Sequence, residues 1–86
     1  MNKHFEDTTY YLKRATETAA EGVKEELAPI EARFRELTGR EAEPEPGRVE
    51  KIREELSDLQ GKAEGEAKEA IGDARERLRE YREQLA

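Results

Sequence analysis

Small and apolar residues recur along the second half of this chain at the pitch of a straight α-helix. Val49, Ile52, Leu56, Leu59, Ala63, Ala67, Ala70 or Ile71, Ala74, Leu78, Tyr81 and Leu85 cover 36 residues in ten steps, or 3.6 residues per step. That is the period of one helix face. The first half repeats the pattern through Phe5, Leu12, Ala15, Ala19, Val23, Leu27, Ile30, Phe34 and Leu37, and a segment of Gly, Glu and Pro separates the halves. The expected fold is all-α: a long antiparallel hairpin of two amphipathic helices.

Composition sets how strongly such a hairpin can hold. Val, Ile, Leu and Phe supply only 14 of the 86 residues, and the formal net charge is -6. Sparse apolar content with excess charge ordinarily signals disorder, because too little surface is buried to offset chain entropy. A disordered tail has no reason to keep one face in phase for ten turns, so periodicity decides for a folded helical protein with a thin core. Among the basic residues Arg outnumbers Lys, ten to six, and acids outnumber both together by 22 to 16. Acid excess, scarce Lys and small core residues fit a protein that stays hydrated in concentrated salt. Molar salt shortens the screening length to ~3 Å and relieves the self-repulsion that dilute buffer leaves in place.

The chain has no Cys, which removes disulfides, thiolate chemistry and Cys-based zinc sites. Acids and two adjacent Tyr interrupt the first twenty residues where a signal peptide needs an apolar core. No stretch approaches the ~20 apolar residues of a membrane span. The expected location is the cytoplasm.

Helix 1 is expected from about residue 3 to 38, with Asn2 as its cap, Glu6 and Asp7 favouring the helix dipole, and Gly39 ending it. Pro29 lies inside this span. Ala28 is a poor cap for a fresh helix, and the apolar phase passes from Leu27 to Ile30 without slipping, so one helix kinked near Pro29 is expected rather than two. Residues 39–47 form the connection. Pro46 suits the first turn of helix 2, which is expected from about 47 to 84.

Closing the hairpin sets Leu37 beside Val49, Phe34 beside Ile52, Ile30 beside Leu56, Leu27 beside Leu59, Val23 beside Ala63, Ala19 beside Ala67 and Leu12 beside Ala74. Phe5 then meets Tyr81. Large residues gather near the loop and at the termini, and small ones fill the middle, which permits either close approach of the helices or room for a second molecule. Two helices cover only part of each other's stripe. Dimerisation into a four-helix bundle, or docking of another helical protein, would cover the remainder.

Two features stand out as partner surfaces. At 100° per residue Gly61, Gly65 and Gly72 fall within ~40° of one another on the face opposite the core stripe. Each Gly inside a helix costs roughly 0.5–1 kcal/mol relative to Ala, so three on one face suggest a smooth groove for another helix, unless the face simply tolerates weak helix. Tyr10 points away from the core beside Lys13 and Arg14. It reads either as a contact point or as an ordinary exposed aromatic.

Chemistry finds little support. His4 has no Cys or second His to share a metal, and the Glu-x-x-His motif of carboxylate-bridged iron in helical bundles is missing. Phosphate-binding loops, nucleophile elbows and triad spacings are missing too, so neither catalysis nor a cofactor is expected. Arg75, Arg77, Arg79 and Arg82 crowd the end of helix 2 but alternate with Glu76, Glu80 and Glu83, unlike a basic stripe. Direct contact with nucleic acid or a membrane is not expected from this pattern.

The opening MNKHFEDTTYYLKRA, the central ELTGREAEPEPGR and the stretch AEGEAKEAIGDARERL resemble a group of small uncharacterised proteins from haloarchaea. The similarity runs over nearly the whole chain. It implies a cytosolic protein of a salt-rich cell, and it carries over no activity and no catalytic or ligand-binding residue. The reading that results is a noncatalytic helical interaction or assembly protein. The alternative is a small acidic factor associated with nucleic acid or the ribosome, whose Arg-rich end would meet phosphate.

Overall fold

A computed structural model describes residues 3–40 and 46–85, apart from the side chains of Arg40 and Leu85. The described residues are helical throughout except at two short bends. Helix α1 spans Lys3–Thr18, α2 Glu21–Arg40, α3 Pro46–Lys62 and α4 Gly65–Leu85. The proposed cap at Asn2 and most of the 39–47 connection lie outside the described residues. Within them, Gly39 continues α2 instead of ending it, α2 runs unbroken through Pro29, and Pro46 opens α3 as its fixed φ favours.

Each helix packs on two neighbours: α1 on α2 and α4, and α3 on α2 and α4, while the diagonal pairs stay apart. Successive helices are antiparallel. Phe5 at the start of α1 meets Phe34 near the end of α2 edge to face at 5.6 Å and Tyr81 near the end of α4 at 4.4 Å. Arg82 near the end of α4 reaches Glu50 near the start of α3 at 3.0 Å. The chain is therefore an up-down-up-down four-helix bundle.

This corrects the two-helix hairpin. A continuous helix over residues 3–38 would be roughly 54 Å long at 1.5 Å per residue, whereas the longest extent of the molecule is 33 Å. Each expected long helix is divided near its middle, at Ala19–Ala20 and at Ala63–Glu64. The physical reason is coverage. Two helices leave part of each stripe in water, and doubling the hairpin over lets four stripes share one core without a second molecule.

The expected register survives the doubling. Phe5 meets Tyr81 across α1 and α4, and across α2 and α3 Arg33 pairs with Glu55 while Lys62 reaches Glu26 at 3.6 Å. Leu27 is thereby level with Leu59, and Ile30 with Leu56. The bends thus fall at one height of the hairpin, where Ala19 is level with Ala67 and Val23 with Ala63.

The bends differ in chemistry. At the first, the Ala19 N–H still donates to the Ala15 carbonyl at 2.9 Å, and the Ala20 carbonyl accepts the first bond of α2 from the Lys24 N–H at 2.8 Å. Thr16 and Thr18 hydroxyls donate back to the carbonyls of Leu12 and Arg14 in the preceding turn, a bond that bends helices. At the second, Gly65 holds a φ of 61°, the only positive φ among the described residues. That region disfavours any residue with a Cβ, and it turns the chain from α3 into α4.

The core contains the expected residues from Phe5 to Tyr81, with Leu12, Leu27, Phe34, Leu56, Ile71 and Leu78 fully buried. Ala19, Val23, Leu37 and Tyr11 pack against it half-buried. One core position was not expected: Thr8, buried between Phe5 and Leu12 on the same face of α1, donates its hydroxyl to the His4 carbonyl at 2.7 Å. That local bond satisfies a hydroxyl that burial would otherwise leave costly.

Candidate interaction surface

Helix α1 directs Phe5, Thr8, Leu12 and Ala15 inward, so Tyr10 must point outward. Tyr10 is 57% exposed and is the one large hydrophobic side chain left in solvent among the described residues. It is held in place. Its ring meets Tyr11 edge to face at 5.2 Å, and Tyr11 in turn lies under the Arg77 guanidinium, 5.7 Å from the ring centroid. Arg77 is fixed by Asp7 at 3.5 Å and Glu80 at 3.4 Å. One turn along α1, Arg14 donates to the Tyr10 hydroxyl at 3.5 Å. That hydrogen bond, with Glu66 and Glu69 nearby, raises the Arg14 guanidinium above its ordinary value.

Around Tyr10 lies an open depression of about 400 Å³ lined by Tyr10, Lys13, Arg14, Glu17, Thr18 and Glu66. Glu66 is brought there by the second bend, which sets the first turn of α4 beside the last turn of α1. The lining offers one aromatic face, charges of both signs and a hydroxyl. It suits an amphipathic segment that stacks on the ring and pairs its own charges at the rim.

The three glycines do not form one face. The bend between Lys62 and Gly65 places Gly61 on α3 and Gly72 on the antiparallel α4, so a single helical wheel no longer relates them. Gly61 is exposed, and a Cβ there would meet nothing. Gly65 is a turn residue. Gly72 is covered: a Cβ on it would come 2.6 Å from the Gln60 Nε2. Gln60 lies across α4, accepting from Arg75 at 2.5 Å and donating to the Lys68 carbonyl at 3.5 Å. None of the three lines the Tyr10 depression; Gly65 precedes Glu66, which does. The signal that could have shown this was Gly65 itself, read as a helix stop.

The Arg-rich end of α4 is committed to neighbours. Arg75 bonds Gln60, Arg77 pairs with Asp7 and Glu80, Arg79 with Glu76 and Glu83, and Arg82 with Glu50. The Arg79 hydrogen bond holds the Glu76 carboxyl below its ordinary value and raises Arg79 in return. His4 stands 3.5 Å from Glu80. Among the described residues no three of His, Cys, Asp and Glu gather in a way that could hold a metal ion, and no helix is long and apolar enough to cross a membrane.

The family of unknown function DUF7553 matches residues 1–84. The chain belongs to that family. No curated protein and no solved structure matches it. Membership of DUF7553 assigns no chemistry to the bundle.

Proposed function

We propose that this DUF7553 member is a noncatalytic interaction protein of a salt-adapted cytosol, which assembles through helix-to-helix contact with a second copy or another helical protein. The observation that carries this reading is Tyr10: a large aromatic left in solvent, fixed by Tyr11 and Arg14, beside an open depression of mixed charge. A fixed aromatic loses little freedom on binding, and such residues anchor interfaces. Among the described residues the buried side chains are apolar apart from the hydroxyls of Thr8 and Tyr81, and no acid or base suited to proton transfer is buried with them.

The Arg-rich end of α4 supports a phosphate-binding role less well, because its guanidinium groups already face acids or Gln60. Binding phosphate there would require breaking those pairs. It would also weaken steeply with salt, unlike apolar contact.

The test is a photoreactive benzophenone side chain placed at Tyr10 and, as a control, at exposed Asp58 of α3, in cells that make the protein. A discrete adduct from position 10 alone, lost when Lys13 and Arg14 are both changed to Glu, supports the reading. Equal labelling from both positions, or none from either, overturns it.

A further inference from the structure

We propose that the bundle opens at its two bends and pairs with a second copy of this chain by exchanging halves. This rests on the assembly reading and names its partner. The closed monomer and an open hairpin use the same register: α1 faces α4 and α2 faces α3 in both, as Phe5 with Tyr81 and Lys62 with Glu26 show. The apolar period also holds across both bends: Leu12 to Ile30 and Leu56 to Ala74 each cover 18 residues in five steps, or 3.6 residues per step. Straightening the bends therefore leaves the core residues along one continuous stripe.

The bends are made of residues that tolerate both forms. Ala19 and Ala20 are the strongest helix formers and lie where helix is interrupted. Gly65 holds the only positive φ among the described residues, and glycine passes from that region to the helical one without steric penalty. The two bends lie at one height, so opening both yields a straight hairpin whose uncovered stripe is what α1 presents to α2 and α4 to α3. A second open chain, related by a two-fold axis, restores those contacts: Phe5 of each protomer then meets Phe34 of the other. Exchange of identical elements adds no new interface chemistry and is a low-cost route to a dimer.

Gly65→Ala sets the two forms against each other. The left-handed conformation needed by the closed chain costs Ala about tenfold in population, and the helical one needed by the open chain favours it. Two chains open per dimer, so the dissociation constant should fall about a hundredfold. Ala19→Gly with Ala20→Gly weakens the open helix and should return the mass to one chain. Light-scattering mass across a concentration series in molar KCl, with helicity followed by circular dichroism, reads both effects.

The arms are read by spin labels at Glu6→Cys and Glu36→Cys, unique sites in a chain without Cys, with labelled chains diluted in unlabelled ones and refolded together. Thirty residues of continuous helix hold the labels about 45 Å apart, whereas adjacent antiparallel helices hold them within roughly 25 Å. A dimer with the long distance, favoured by Gly65→Ala, supports the exchange. A dimer with the short distance overturns it and leaves self-assembly through another surface standing. One-chain mass for wild type up to millimolar concentration also overturns it, whether or not Gly65→Ala folds, and leaves the Tyr10 cross-link to judge the assembly reading.

Discussion

The seam between α1 and α4 and the seam between α2 and α3 run side by side in one bundle and are filled differently: the first mixes small residues with large ones such as Phe5 and Tyr81, and the second buries large ones throughout. Along the first, the buried positions include Thr8, Ala15, Ala67, Ala70 and Ala74, and the two backbones approach more closely than any other pair. Along the second, Leu27, Ile30, Phe34, Ile52, Leu56 and Leu59 hold the backbones apart. Small residues gain dispersion by proximity, and large ones gain transfer energy by covering area. A chain with few large apolar residues holds four helices together by using both. The two seams should fail in opposite ways when residue size is changed.

The largest effect should follow from a charge in the wide seam. Leu56 is fully buried, and Leu56→Asp would place a carboxylate among leucines with no partner. Loss of most helicity by circular dichroism in molar KCl is expected, and wild-type helicity would show that this seam is not a core.

Next in size is the exchange of large for small. Leu27→Ala should lose about 2–5 kcal/mol, from lost transfer and the cavity left behind. In the tight seam the reverse change does the damage. Ala74→Leu adds volume where the backbones leave none, at about 1–3 kcal/mol. Thermal unfolding compares them directly, since 1 kcal/mol moves the midpoint by about 4–8 °C in a domain of this size. If Ala74→Leu were stabilising, the small-residue seam would be a cavity and not a close approach.

The helical faces, the core and the register were legible in the sequence because each rests on a period that no local exception disturbs. Even Pro29 misleads little: it stays inside α2 because Leu27 and Ile30 keep their phase around it. Thr8 was legible in principle, since the spacing from Phe5 to Leu12 leaves one inward position between them. The bends were not. Ala19 and Ala20 carry no stop signal, and the gain that divides the helix there comes from packing α1 on α2, a contact no local window contains. Gly65 did carry a signal, but an unbroken period made it look like one of three glycines on a face. The Tyr10 surface followed the same division. Its outward aromatic was readable from α1 alone, whereas Glu66 joins it only because the chain doubles back.

Charge should separate the seams least. The tight seam is flanked by Arg77 with Asp7 at 3.5 Å, and the wide seam by Lys62 with Glu26 at 3.6 Å. All four side chains are substantially exposed, so each pair gains little in water and is screened by salt. Asp7→Asn and Glu26→Gln should each change stability by less than about 1 kcal/mol, and any difference between them should vanish in molar KCl. Among the described residues the one carboxyl clearly held below its ordinary value, Glu76, lies beside Arg79 on α4. Its folded-state value is depressed, so its contribution is present above the ordinary carboxylate range and fades as pH falls through the lowered value. Arg79→Ala should return Glu76 to the ordinary range in a carbon-detected NMR titration without changing the order of Leu27→Ala and Ala74→Leu. A reversal of that order with pH or salt would mean that ion pairs, and not side-chain size, set how closely the helices approach.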